Sequence, residues 1–400
     1  MAHSRRAFRR SRLDRRVKRV RRRGHSLMST ASGPWVLLGF WAALVAAAVF
    51  AVVFLVVPMV SRISEAAPSP SMQVSGEGNG GEPAAKTIQT TELGALQKEI
   101  SPGVRYVGDT CSYGDTIIFS GGVDENGNPL LKNIYSLSVS SETPEELPIT
   151  AKNQDLLSLD MNDSWIVFTD GSRDGDGIVR AYNRQSKTTK DVKLYYAGQP
   201  ALSLSGNILA WTERTGTYMD KLYVCDLSTM EYVTMATFEN NRYGQSSPCA
   251  ANGQLIWAES DPDAGTDEGA KSVIRYISLE SGGEAGSYKA NMYVHDPVTN
   301  GQDWAWIDSD HADGSKLYAS INMGDPILIA EDVLTYGITD DFLAYNQNSS
   351  IYVYFFDDGY EQIITPASES ALLSDVSSDK VIWFETGIIT RDVLKYAAIS

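Results

Sequence analysis

Catalysis by a serine or cysteine nucleophile needs a histidine to take its proton and an acid to orient that histidine. Beyond residue 60 the 400-residue chain offers only His295 and His311. No G-x-S-x-G turn and no H-E-x-x-H motif is present to mark a nucleophile or a zinc site. Cys111, Cys225 and Cys249 are too few for a disulfide framework. A Cys225–Cys249 bond can be drawn, but all three fall in or beside predicted strands and read as small apolar side chains.

The residues present in excess are carboxylates in turns. They cluster as Asp124 and Glu125; Asp170, Asp174 and Asp176; Asp261, Asp263, Asp267 and Glu268; and Asp308, Asp310 and Asp313. A pair of such acids could serve a glycosidase, although nothing in their spacing singles one out. Asp124-x-Asn126-x-Asn128 and Asp174-x-Asp176-Gly177 resemble calcium loops without the distal Glu. Asp, Asn and Gly also simply favour turns and keep a surface solvated. With no contiguous catalytic motif, the leading expectation is a non-catalytic binding or scaffold module, not an enzyme. It would meet a protein, cationic or metal-bridged partner through Asp124, Asp174, Asp176, Asp261, Asp263, Asp308, Asp310 and Asp313, and no cofactor is expected, with calcium in these loops as the alternative. A carbohydrate-active enzyme using loop carboxylates, or a ligand sensor, is the alternative.

The elements that must position these acids begin with a sharp division of charge. Arg5 to Arg23 holds 12 basic residues against Asp14, whereas residues 63–400 hold 21 basic and 49 acidic, a balance of 21 − 49 = −28. Between these regions, Trp35–Val60 has no charged residue in 26 positions, enough helix to cross a ~30 Å hydrocarbon layer. Residues 1–34 are expected to be a basic cytoplasmic tail and residues 35–60 a transmembrane helix. The positive-inside rule then places the remainder outside the cytoplasm at the cell envelope. Cleavage near Ala66-Ala67 is the competing reading of that segment. The basic tract suits topology and anionic lipid, not nucleic acid. Residues 61–100 read as a flexible linker rich in Ser, Pro and Gly, in which Gly76, Gly78 and Gly81 match G-x-G-x-x-G by composition alone. A short helix is expected over Thr90–Ile100.

Residues 101–400 repeat one unit. Seven apolar strands end in an aromatic with a turn residue five positions earlier: Gly114/Phe119, Asp163/Phe168, Gly206/Trp211, Asn252/Trp257, Gly301/Trp306, Asp340/Tyr345 and Ser378/Trp383. A Tyr-bearing strand follows each. Repeats of about 40–45 residues with four short strands define a β-propeller, since no single blade buries both its faces. The fold class is therefore all-β, a propeller of seven blades, or six if one copy is not a blade. Loops after the aromatic strands should share one face, so their acids would form a ring of negative charge. The last copy supplies only three strands, so Val104–Val107 is expected to complete it by pairing with Val393–Ile399.

The unit resembles the TolB-like propeller family, most closely in Phe168–Tyr182 and Lys221–Thr229, over about residues 104–400. The resemblance implies the fold. It lacks the family's Ser-Pro-Asp-Gly turn and adds a membrane anchor, so the family's periplasmic cell-division role is not carried over.

Overall fold

The computed structural model describes residues 90–92, 97–100 and 107–399, apart from 140–142, 154, 173–174, 197, 218, 240–245, 262–271, 290–292, 311–313, 366–369, 378 and 386–393. The basic tail and the expected span at 35–60 lie outside these residues.

Seven antiparallel meanders follow one another along the chain. Blade 1 runs Thr110–Tyr113, Thr116–Val123, Pro129–Ser138 and Glu145–Glu146. The first strands of blades 2 to 7 are Asp155–Met161, Leu202–Ser205, Cys249–Ala251, Val294–Thr299, Val333–Ile338 and Ala371–Ser377. Each first strand touches the first strand of the next blade, and that of blade 7 touches that of blade 1, so the first strands ring a central axis. Seven apolar clusters, one at each junction between neighbouring blades, form the core. The seven-bladed reading of the sequence is the architecture found.

The aromatic of each copy lies on the second strand and is buried. Alternation along that strand directs it into a blade junction, and its neighbour across the ladder completes the layer. Trp211 stacks on Tyr223 with ring centroids 5.4 Å apart, Phe119 on Tyr135 at 5.5 Å and Tyr345 on Tyr352 at 5.3 Å. In blade 2 a cation takes the tyrosine's place, with the Arg180 guanidinium 5.5 Å from the Phe168 ring. Gly114 and Gly206 lead into their second strands with φ of 55° and 57°, where glycine avoids the Cβ clash of the left-handed region.

Two expectations at the N-terminal edge are corrected. Thr90–Ile100 is not a helix but holds the strands Thr90–Glu92 and Gln97–Ile100. The second of these, and not Val104–Val107, completes blade 7, in the register Gln97↔Ala397 to Ile100↔Leu394. Thr90–Glu92 pairs in parallel with the outer strand Tyr360–Ile363 of blade 6. Two outer strands would otherwise be open edges, and their unpaired backbone groups override the weak helical preference of this segment. Val107 instead packs in the junction of blades 7 and 1 with Ile117, Phe119, Leu394 and Tyr396.

Candidate active site at the ring axis

Each first strand is a sheet edge facing the axis, so some of its N–H groups have no ladder partner and need acceptors from elsewhere. Neighbouring blades provide them. Asp109 Oδ2 accepts the Ser158 N–H at 2.6 Å, Asp160 Oδ2 that of Leu204 at 2.7 Å, and Ser203 Oγ that of Ala250 at 2.8 Å. Across the closure, the Thr110 and Ser374 hydroxyls bond, and Ser112 Oγ donates to Asp375 Oδ2 at 2.5 Å. Carboxylates are thus drawn toward the axis. Burial pushes Asp160 up to about 7 against the hydrogen bonds from Leu204 and Met161, and Asp375 repels its charged form. Burial likewise lifts Asp375 to about 6 against its bond from Ser112.

Blade 5 carries in its first strand a slip of the kind also found in blade 2, where Leu157↔Thr169 is followed by Asp160↔Val167 and Ser158 sits at φ 50°. In blade 5 the first strand pairs as Val294↔Asp308 and His295↔Ile307, then slips and resumes at Val298↔Ala305. In the slip Asp296 adopts φ 49°, a left-handed conformation uncommon for a residue with a Cβ, and Pro297 behind it narrows its options further. That bend folds the Asp296 carboxylate onto the preceding imidazole, with Oδ2 2.9 Å from His295 Nδ1. The other ring nitrogen, Nε2, lies 3.0 Å from Ser309 Oγ. Ser309 is on the adjacent second strand, Trp304–Asp310, where its N–H donates to the Tyr293 carbonyl at 3.2 Å.

Several blades hold this strained backbone in place. Asp296 N donates to Ser246 Oγ, and Ser247 N to Asp296 Oδ1, both at 2.8 Å. The Tyr336 hydroxyl of blade 6 donates to the Asp296 carbonyl. Thr212 of blade 3 donates from Oγ1 to the Ser246 carbonyl at 2.8 Å. Burial acts to raise the Asp296 carboxyl, but bonds from His295 and Ser247 outweigh it and hold the group below the usual carboxylate range. Asp296 therefore stays ionised beside the ring, where it favours one tautomer and would stabilise an imidazolium. The cluster is open to solvent: the His295 and Asp296 side chains are 25% and 44% exposed, and Ser309 is half-buried. It lies at the end of blade 5 where the loop after the second strand emerges.

The expected acidic residues do not assemble into one group. Asp124 is half-buried, and its carboxylate already accepts the N–H groups of Asn126 and Asn128 at 2.8 Å and Asn128 Nδ2 at 2.9 Å. Those bonds, led by that of Asn128, hold its pKa below the usual range. Asp176 is exposed and Asp261 half-buried. Asp308 is 7% exposed and accepts the Tyr293 N–H at 2.9 Å. The second strand of blade 5 continues to Asp310, so neither Asp308 nor Asp310 is a loop residue. Asp174, Asp263 and Asp313, and the side chain of Asp310, lie outside the described residues. Among the described residues no group of three or more His, Cys, Asp or Glu side chains is placed to hold a metal ion. The cysteines are free.

Some acids are framework. Two residues after the aromatic, Asp170 accepts Arg180 Nη1 at 2.7 Å, Glu213 accepts Trp211 Nε1 at 2.8 Å, and Glu259 accepts Trp257 Nε1 at 3.1 Å. That spacing is visible in the sequence and marks a tie within the blade, not a loop charge. The serine and aspartate of the blade 5 cluster carry no such recurring signal: blade 2 has the same slip, with Leu157 and Ser158 where blade 5 has His295 and Asp296, so only the side chains set blade 5 apart.

No family model matches the chain, and no curated protein matches it. Solved structures do. The β-propeller domain of the Trilobed protease from Pyrococcus furiosus overlays 73% of this chain and 93% of its own with TM-score 0.57 at 12% identity. That domain has an open velcro topology, whereas Gln97–Ile100 closes blade 7 here. The acylaminoacyl peptidase of Pyrococcus horikoshii matches over 71% of this chain with TM-score 0.53 at 12% identity, and the chain spans only 50% of that enzyme's length. An oligogalacturonate lyase in complex with manganese matches over 80% of this chain and 98% of its own, with TM-score 0.53 at 11% identity. TolB from Acinetobacter baumannii is among the matched structures as well, and the chain is similar in fold to TolB-like β-propellers. These likenesses correct one expectation. A non-catalytic scaffold was the leading reading of the sequence, but the propellers this one resembles belong to peptidases and a lyase. No contiguous motif marks such a site, because a propeller composes it from separate strands.

Proposed function

We propose that the propeller is itself an enzyme, acting on carbohydrate at the axis of the ring with His295 as its proton-transfer group. The observation that carries this reading is the imidazole held between Asp296 and Ser309, open to solvent on a backbone strained into that arrangement. Ser158 holds the same left-handed conformation in the matching slip of blade 2, so what marks blade 5 is the set of side chains that the slip brings together and not the strain itself. Carbohydrate is favoured over peptide because the lyase is matched along nearly its whole length, whereas only half of the acylaminoacyl peptidase is. The manganese of that lyase is not carried over, since the described residues do not group to hold a metal. Nor is its polyanionic substrate: a balance of −28 over residues 63–400 repels uronate chains and favours neutral or amine-bearing glycans. A single-pass anchor at residues 35–60, with the propeller outside the cytoplasm, belongs to the same reading and gives the enzyme access to envelope polysaccharide.

The test is incubation of the full chain, in detergent, with neutral, amine-bearing and uronate polysaccharides, followed by mass analysis of the products. The expected result is modification of a neutral or amine-bearing glycan, lost in His295→Ala. No product from any glycan with folded protein, or full activity in His295→Ala, would overturn it.

A further inference from the structure

We infer that Ser309, His295 and Asp296 form a nucleophilic acyl-transfer centre, so that the bond broken is an ester carried by the glycan and not the glycosidic link. This rests on the reading of the propeller as an enzyme of carbohydrate. Three geometric facts support it. Ser309 Oγ is 3.0 Å from Nε2, within reach for proton transfer. Nδ1 is engaged by a carboxylate at 2.9 Å, which leaves Nε2 as the nitrogen that accepts the serine proton. Asp296 Oδ1 is occupied by the Ser247 N–H, so the carboxylate cannot rotate away from the ring. Hydrolysis of a glycosidic link uses two carboxyl groups flanking the bond, whereas this cluster offers one acid, one base and one hydroxyl in series.

The chemistry closes on itself. Ser309 Oγ bonds to the ester carbonyl carbon while its proton passes to His295 Nε2. Collapse of the tetrahedral intermediate breaks the bond to the sugar oxygen, which leaves as the free hydroxyl after taking the proton from Nε2. Water then attacks the acyl-serine, gives its proton to Nε2, and expels Ser309, which recovers that proton as the carboxylic acid departs. Ser309 and His295 are the catalytic residues. Asp296 acts through the ring and is a positioning residue.

The full chain is treated with a biotinylated fluorophosphonate, and in parallel with 4-nitrophenyl acetate and an acetylated neutral oligosaccharide. The expected result is a phosphonyl adduct on the Ser309 peptide, with acetate released from both esters. Ser309→Ala abolishes the adduct and His295→Gln lowers ester turnover at least a thousandfold. Asp296→Asn can still accept the Ser247 N–H but presents an N–H to Nδ1 and forces the wrong tautomer. It lowers kcat about a thousandfold or more, with KM and the melting midpoint little changed. A merely structural role for Asp296 would move the midpoint instead. Absence of a Ser309 adduct in folded protein, or unchanged turnover in Ser309→Ala, overturns the proposal. Cleavage of the nitrophenyl ester through Ser309 without release from the oligosaccharide supports the centre and removes the carbohydrate reading. Glycan cleavage that persists in Ser309→Ala keeps the carbohydrate reading and removes the serine.

Discussion

Blades 3 and 5 are built from one repeat and used differently. In blade 3 the first strand pairs with the second from Leu202↔Trp211 to Ser205↔Ile208 without a slip, Trp211 stacks on Tyr223 at 5.4 Å, and the indole N–H is taken by Glu213. In blade 5 Trp306 stacks on Tyr318 at 6.2 Å, but the first strand slips between His295 and Val298 and Asp296 sits at φ 49°. The second and third strands thus form the same framework in both, and the departure is confined to the strand at the axis. A repeat protein can gain a site by distorting one inner strand, because the outer strands and blade junctions continue to carry the stability.

The comparison breaks first at the shared framework. Trp211→Ala and Trp306→Ala should each lose about 3–5 kcal/mol in denaturant unfolding, since both remove a fully buried indole from a blade junction. If Trp306→Ala were nearly neutral, blade 5 would be loosely built throughout and its slip would carry no functional meaning.

A smaller loss is expected from a chain that begins at Ser101. It lacks the strand that completes blade 7, whose ladder bonds contribute roughly 0.5–1.5 kcal/mol each. Its melting midpoint should fall and its aggregation should rise with concentration, because the Leu394–Ala398 edge is then unpaired. Light scattering and calorimetry decide the matter, and an unchanged midpoint would make the closure dispensable.

The axial acids predict an acid-favoured stability. Burial lifts Asp160 and Asp375 to about 7 and about 6 in the folded state, above the ordinary aspartate value of 3.8, so the native state binds more protons than the unfolded chain in that window. Their contribution is fully present below about pH 4 and is lost as pH rises through 6 to 7. The midpoint should therefore fall between pH 5 and pH 8, and Asp375→Asn should flatten part of that slope. A midpoint that rises over this range would reverse the sign and the account of burial. The smallest effect belongs to the exposed loop acids: Asp176→Asn should change stability by no more than about 0.5 kcal/mol.

The contrast between the blades also separates what was legible in the sequence from what was not. Phe119, Phe168, Trp211, Trp257, Trp306, Tyr345 and Trp383 could be assigned to the core because strand periodicity and turn chemistry act locally and recur in every copy. His295 stands out by rarity, but Ser309 and Asp296 do not, since they meet it only through pairing across two strands, and the matching slip of blade 2 carries other side chains. Asp170 and Asp308 read as loop charges in the sequence because the second strands run on past the aromatic; each is a buried acceptor of backbone N–H groups. Gln97–Ile100 was hidden for a different reason. Its conformation is set by an edge formed at the far end of the chain, which no local pattern can announce.

That clasp also has a timetable. Gln97–Ile100 leaves the ribosome about 300 residues before Leu394–Ala398, an interval of roughly 15–60 s at ordinary rates of synthesis. Blades 1 to 6 can form in order as they emerge, but throughout that interval the N-terminal strand has no partner and blade 1 has no neighbour on one side. The ring becomes a ring only when the last strand arrives. Maturation of this protein should accordingly end in one late, long-range step, limited by loop closure and not by the folding of any blade.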